Sequence, residues 1–280
     1  MRDPRVTRVV LIGAGRMGHA MLVGWLRELR PSHEFHVVDP GVCDAVAALR
    51  KRLANPGSLV HYASAQDLPD DLAADVIVLA TKPRIIAAAL QAMPKPTALN
   101  AVVISVAAGV GIADIQQHLH GNLSTVRVMP NIGASVGYSV SAGFADASTK
   151  PDGRVHVELL FQAIGTFSWL ESEDQLHAVT ALSGSGPAYV FAMCEAMIMA
   201  GIEQGLDDTT ARSLAIATVS AAGRLLENCP DPGLLRETVT SPNGTTAAGL
   251  AVLGKENVLE RLVWQTLDAA RQRSISLSNF

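Results

Sequence analysis

The chain has 280 residues, of which 49% are hydrophobic and 17% charged, with a formal net charge of -4. The length suits two domains, or one α/β domain with a helical extension, while the composition excludes a disordered chain and offers no basic footprint for a nucleic-acid partner. Cys43, Cys194 and Cys229 are odd in number and far apart, so they fit neither a metal site nor a disulfide framework and read as small buried side chains of a cytoplasmic protein.

No apolar run reaches the roughly 20 residues of a membrane span. Ala188–Ala200 is interrupted by Glu195, and Val102–Ile112 by Ser105 and two glycines. Residues Met1–Arg5 lead directly into the first strand, with no apolar export segment ahead of it. No membrane partner is expected, and the surplus of apolar residues points to a subunit interface.

Val9–Ile12 is an apolar run that breaks into Gly13-Ala14-Gly15-Arg16-Met17-Gly18 and continues into a helix over His19–Arg30. The G-x-G-x-x-G pattern between strand and helix predicts a dinucleotide seat. Gly13 permits the tight turn, Gly15 lets backbone N–H groups approach a pyrophosphate, and Gly18 brings the helix close to the strand. Glu34–Asp39 is a second strand ending in an acid about 20 residues beyond Gly18, where a carboxylate accepts from the adenosine ribose hydroxyls and repels a 2′-phosphate. A solvated loop Asp or a helix cap is the alternative.

A helix over Val42–Leu53 and a short strand over Ser58–Tyr62 follow, and then Asp75–Ala80, an apolar strand of the buried parallel kind that ends at Thr81-Lys82-Pro83. Further on come a helix over Arg84–Met93, a strand over Ala101–Val106, the loop Ala107-Ala108-Gly109, a helical segment Gly111–Leu119 and a strand Thr125–Met129 closed by Pro130-Asn131. The alternation predicts a mostly parallel, doubly wound sheet with ligands beyond the carboxyl ends of its strands. The glycine loop, Asp39, Ala80–Pro83, Ala108, Gly109 and Asn131 should therefore converge on one crevice. Lys82 either borders the cofactor or acts beside the nicotinamide as a cation or acid. Arg127 either faces solvent or pairs with an acid.

Gly137–Ala145 reads as one or two edge strands outside any βαβ unit, Asp152–Ile164 as a helix and Thr166–Leu170 as a last strand. The acidic segment Glu171–Asp174 marks the domain boundary, giving residues 1–172 and 173–280, because helical periodicity dominates beyond it. Ser183-Gly184-Ser185-Gly186-Pro187 reads as a turn opening a long helix, Tyr189–Gln204, that is apolar nearly all round and so belongs in a core or between subunits. Asp207 or Asp208 caps a second long helix to Leu226. Asp231–Val239, Thr246–Leu253 and Asn257–Ser276 complete an all-α region. Between them lies Ser241-Pro242-Asn243-Gly244-Thr245-Thr246, a small, hydroxyl-rich stretch before an apolar helix. It is either an anion seat, with Asn243-Gly244 in left-handed conformations, or an ordinary capping loop.

Together these stretches resemble the pyrroline-5-carboxylate reductase family. The matching segments are Gly13–Gly18, Ala80–Pro83, Ser105 with Ala108-Gly109, Arg127–Asn131, Ala181–Tyr189 and Ser241–Thr246, in the family's order; the last two are the specific ones. The resemblance implies reduction of 1-pyrroline-5-carboxylate to L-proline by NADPH or NADH. It implies a Rossmann-like dinucleotide domain followed by an all-α dimerisation domain, interleaved into a homodimer and in many members assembled as a pentamer of dimers. By the same resemblance, Ser241, Asn243, Gly244, Thr245 and Thr246 would hold the carboxylate of the cyclic imine, with the Thr246 hydroxyl near the ring nitrogen. Asn243 stands where the family usually has glycine, and Asp39 where many members have small or basic residues, which argues that NADH is usable. A β-hydroxyacid dehydrogenase would share the opening motif but place a lysine on the helix after the middle glycine motif, where Ala188–Gln204 has none. A dinucleotide-sensing protein without turnover would have no second hydroxyl-rich loop.

Overall fold

The computed structural model describes residues 6–29, 32–41, 43–53, 55–94, 100–119, 123–147 and 149–278. Met1–Arg5, Arg30 at the end of the expected first helix and Val42 at the start of the second lie outside them. The chain forms two compact units: residues 1–185 with 270–280, and residues 186–269.

The first unit is built on one sheet of eight strands: β1 (Thr7–Ile12), β2 (His33–Val38), β3 (Leu59–Tyr62), β4 (Val76–Leu79), β5 (Val102–Ser105), β6 (Thr125–Met129), β7 (Ser139–Ala145) and β8 (Gly165–Trp169). Their order is β3-β2-β1-β4-β5-β6-β7-β8. The chain winds outward from β1 to β3, returns to β4 and winds the other way, so the order reverses between β1 and β4. That reversal opens a crevice at the carboxyl ends of the two strands.

The strands form because both faces of the sheet are covered. On one face Val9, Leu11, Phe35, Val37, Val76 and Val78 pack against Met21, Leu22 and Trp25 of α1 (Arg16–Glu28) and Leu160 and Phe161 of α5 (Pro151–Gln162). On the other, Val10, Ile12, Ile77, Leu79 and Val103 meet Ile86 and Leu90 of α3 (Pro83–Ala92) and Ile115 of α4 (Ile112–Gln116). Strands buried on both sides carry continuous apolar runs, and these run parallel from β3 to β6. The remaining helix, α2 (Cys43–Lys51), follows β2 and adds Val46 to the face that carries α1. The Trp25 indole N–H donates to the Leu160 carbonyl at 2.8 Å, tying α1 to α5 inside the core.

The sheet departs from expectation at its far side. Ser139–Ala145 is one strand, not an edge: β7 pairs antiparallel with β6 and parallel with β8, so β7, α5 and β8 form a βαβ unit of their own. Within β7 the exposed Val140 and half-buried Phe144 mark a thinly covered face of what is nonetheless an inner strand.

The helix α6 (Gln175–Val179) runs into a π-turn over Thr180–Gly184, in which the Ser185 N–H donates to the Thr180 carbonyl at 2.9 Å. The expected Gly/Ser turn is thus a helical segment with a wider hydrogen-bonded ring. Gly184 and Gly186 favour neither form strongly, and the next residue, Pro187, cannot donate to the Ser183 carbonyl four residues back.

The second unit comprises α7 (Gly186–Glu203), α8 (Asp208–Asn228, capped by the Asp207 side chain on the Thr210 N–H at 3.1 Å), α9 (Pro232–Thr238), α10 (Thr245–Gly254) and most of α11 (Val258–Leu277). Its buried cluster is small: Ile198, Ala211 and Ala215, with Cys194 and Ile202 against it. Phe191, Met199, Leu214, Leu262 and Trp264 are all more than half exposed. Helices this apolar and this uncovered require a partner surface. The helical stretch Gln175–Glu203 is even long and apolar enough to cross a membrane by length and composition, contrary to the reading that Glu195 interrupts it too soon. Cys194 and Cys229 are free and half-buried rather than core hydrophobes, and the Cys43 side chain lies outside the described residues.

Candidate active site

Register places the expected cofactor residues at one end of the sheet. Ile12 lies opposite Val38 and Leu79, Leu79 opposite Ser105, and Ser105 opposite Arg127. The loops after β1, β2, β4, β5 and β6 therefore leave the sheet side by side.

The glycine loop is set by contacts that only glycine permits. Gly13 has φ +93°, and a Cβ there would lie 2.7 Å from the Ala80 carbonyl oxygen; a Cβ on Gly18 would collide with the Gly13 carbonyl. Gly15 is different. It has φ -64°, and no protein atom lies within 4 Å of where its Cβ would sit. Neither backbone nor packing demands glycine at that point. The open space lies over the start of α1, whose N-cap, Gly15, supplies no side-chain hydrogen bond to the first-turn amides. A diphosphate fits such a cradle, since uncapped amides and the positive end of the helix dipole face it. Arg16 is exposed and Met17 half-buried beside it, and Ala14 is buried beneath.

Asp39 is held at both oxygens: Oδ2 accepts from the Ala14 N–H at 2.8 Å and Oδ1 from the Gly41 N–H at 2.8 Å. It ties the end of β2 to the glycine loop. A carboxylate has about four acceptor positions, so two further hydroxyl donors can still be received.

Beyond β4, Ala80 and Thr81 are half-buried and Lys82 is exposed as the N-cap of α3, with Pro83 in the first turn. No ion pair of Lys82 occurs among the described residues. Beyond β5, Ala108 is exposed and Gly109 buried. Gly109 has φ +80°, and a Cβ there would lie 2.6 Å from the Leu277 carbonyl, so the last turn of α11 packs on this loop.

Arg127 turns inward. Its Nη1 donates to Glu173 Oε1 at 2.9 Å with the Arg127 side chain only 7% exposed, and the same oxygen accepts from the Ile112 N–H at 2.9 Å. Sequence reasoning left Arg127 open between solvent and an acid, and it missed Glu173, which lay in the segment read only as a boundary. His177 is half-buried nearby with Nδ1 2.9 Å from the Ser274 hydroxyl. Burial, and then the Arg127 charge, hold its pKa below the ordinary histidine value.

Asn131 is buried and bonded on three sides. Its Oδ1 accepts from Gly133 N–H at 3.1 Å and Val140 N–H at 3.2 Å, and its Nδ2 donates to the Ser183 carbonyl at 3.0 Å.

In the second unit, Ser241, Asn243, Thr245 and Thr246 are exposed and Gly244 is half-buried. Asn243 adopts φ +58°, the left-handed region, whereas Gly244 is extended (φ -79°, ψ 172°). The pair therefore uses one left-handed residue where two were expected. The turn closes through the Gly244 N–H on the Ser241 carbonyl at 3.0 Å, and the Ser241 hydroxyl occupies the space a Cβ on Gly244 would need. Gly244 is the N-cap of α10 and gives its first amides no side-chain partner. Thr246 lies in that uncapped first turn.

A sheet that reverses direction beside a glycine loop clamped by an acid, on a chain with uncovered apolar helices, defines a nicotinamide-dinucleotide oxidoreductase that self-associates. Residues 8–109 match the family model for NADP oxidoreductase, coenzyme F420-dependent, and residues 173–277 match that for pyrroline-5-carboxylate reductase dimerisation. A pyrroline-5-carboxylate reductase of Pasteurella multocida is 37% identical over 95% of this chain and 96% of its own length; one of Pseudomonas aeruginosa is 36% identical over 97% of each. The solved structure of a pyrroline-5-carboxylate reductase from Coxiella burnetii superposes with a TM-score of 0.87 at 32% identity, covering 98% of this chain and 99% of that one. The chain belongs to the pyrroline-5-carboxylate reductase family.

Proposed function

We propose that this protein reduces 1-pyrroline-5-carboxylate to L-proline, the last step of proline biosynthesis, in the cytoplasm. The observation that carries the reading is likeness to named reductases over nearly the whole chain, glycine loop and Ser241–Thr246 loop included. NADH or NADPH supplies the hydride that reaches the imine carbon. Residues Gly13–Gly18 seat the diphosphate, Asp39 receives the adenosine ribose hydroxyls, and Ala80–Pro83, Ala108, Gly109 and Asn131 border the nicotinamide half.

The free amides of Gly244, Thr245 and Thr246, with Ser241 and Asn243 shaping the turn, hold the substrate carboxylate. The Thr246 hydroxyl hydrogen-bonds the ring nitrogen. A cyclic imine takes up its proton from water before reduction, so the site works by orientation rather than by a strong acid. Lys82 contributes positive charge at the mouth of the crevice, as a binding residue first and a proton source second.

The division of labour follows residues 1–172 for cofactor and 173–280 for substrate and dimerisation. The dimer is interleaved through the apolar helices, with five dimers as the higher assembly, and no membrane or nucleic acid is involved. The test is oxidation of NADH and NADPH by the purified protein with pyrroline-5-carboxylate against 3-hydroxyacids in the reverse direction. Turnover with a 3-hydroxyacid and none with the imine rejects the reading, and sedimentation as a monomer rejects the assembly.

A further inference from the structure

The π-turn Thr180–Gly184 leaves one backbone group in difficulty. In a helical run the Ser183 carbonyl accepts from the N–H four residues ahead, and that residue is Pro187, which has none. A fully buried carbonyl without a donor costs about 1–3 kcal/mol, and the half-buried Ser183 carbonyl a part of that. The donor comes instead from Asn131, whose Nδ2 lies 3.0 Å from the Ser183 oxygen.

Asn131 is equipped for this. It lies two residues past the end of β6, is 5% exposed, and is fixed by the Gly133 and Val140 amides on its own oxygen and by its backbone N–H on the Ser139 hydroxyl at 3.2 Å. The turn it holds also touches β6: the Cβ position of Gly184 is 3.6 Å from the Met129 sulfur. Ser183 and Thr180 direct their hydroxyls back to the Val179 and Leu176 carbonyls, so neither supplies the missing donor.

We propose that Asn131 is a positioning residue of the reductase: its carboxamide replaces the amide hydrogen that Pro187 lacks and fixes the π-turn as a wall of the crevice beyond β6. This rests on the reductase reading above. It assigns to Asn131, which borders the nicotinamide half, an action exerted through Ser183 and not as a direct ligand of the cofactor.

The test uses Asn131→Asp in the full-length protein. The substitution keeps the acceptor for Gly133 and Val140 but turns a carboxylate oxygen toward the Ser183 carbonyl; only when protonated does it donate. Burial and the opposed Ser183 carbonyl raise the pKa of such a carboxyl against the lowering by the Gly133 and Val140 amides, and the donor returns as the pH is lowered. At alkaline pH, kcat/KM for the imine at saturating cofactor falls about tenfold, the worth of one lost hydrogen bond with some repulsion. It recovers toward wild type as pH is lowered, while the cofactor Kd stays within about twofold of wild type. Hydrogen exchange at the Ser185 amide accelerates in the variant at alkaline pH alone, a readout independent of turnover. In a Pro187→Ala background, which restores the missing N–H, the cost of Asn131→Asp shrinks.

A cofactor Kd raised about tenfold with no pH-dependent recovery makes Asn131 a direct ligand and overturns the proposal. So does unchanged exchange at Ser185, or an undiminished cost in the Pro187→Ala background. Absence of imine turnover in the wild type would instead reject the reductase reading, and the exchange experiment still decides the role of Asn131.

Discussion

Asp39 offers the sharpest quantitative test, because it is bonded twice inside the protein and also governs which cofactor fits. Its carboxylate accepts from the Ala14 and Gly41 amides, each at 2.8 Å. Asp39→Asn leaves one acceptor and turns an NH₂ toward the other amide. Hydrogen bonds to a charged acceptor contribute about 1.5–3 kcal/mol each, less where solvent competes; Asp39 is half-buried, so the net destabilisation is about 1–2 kcal/mol.

The effect on cofactor choice has the opposite sign. Two like charges about 5 Å apart at an effective dielectric of about 20 repel by roughly 3 kcal/mol, and salt and partial exposure reduce this to about 1–2 kcal/mol. Removing the carboxylate charge therefore improves kcat/KM for NADPH relative to NADH by about five- to thirty-fold. Thermal unfolding and steady-state kinetics with both cofactors, in wild type and Asp39→Asn, measure the two effects separately. A wild type that prefers NADPH tenfold, or a variant whose cofactor ratio does not move, refutes the reasoning about Asp39.

Thr246→Ala lowers kcat/KM for the imine about tenfold or more, the loss of one or two hydrogen bonds in the transition state, and unchanged kinetics removes Thr246 from the mechanism. Gly15→Ala meets open space, so its melting temperature stays within about 2 °C of wild type while its cofactor Kd rises about tenfold or more; equal losses of stability and affinity would mean the glycine serves the fold. His33 and His36 are buried with bare Nε2 atoms, and burial holds both pKa values below the ordinary histidine value. The unfolded chain then binds protons that the folded chain refuses, so stability is full above about pH 6.5 and falls below it by up to about 1.4 kcal/mol per pH unit per histidine. Denaturant titrations across this range check the slope, and a flat profile sinks the assignment.

The parts of the fold that were legible in the sequence are those where burial writes a period. Val9–Ile12 and Val76–Leu79 are covered on both faces, and their unbroken apolar runs announce parallel strands. Strand direction leaves no such mark, so the antiparallel β7 and its own βαβ unit with β8 were invisible in Gly137–Leu170. Ser183–Pro187 misled for a related reason: glycine, serine and proline signal a turn, and nothing local reveals that a carboxamide 52 residues earlier in the chain sustains a helical path through them. At the candidate site, spacing singled out the glycine loop and Asp39 but gave no sign of the bond from Ala14 to Asp39. Glu173 was hidden because its two partners, Arg127 and the Ile112 amide, lie 46 and 61 residues away in sequence.

The last turn of α11 packs its Leu277 carbonyl against Gly109, and residues 270–280 belong to the first unit although the whole of the second unit, residues 186–269, intervenes. During synthesis the sheet emerges whole long before its final buttress does. The loop after β5 therefore waits, uncovered, until residues 270–277 have been made, and a chain cut short before them has a dinucleotide fold with an open flank.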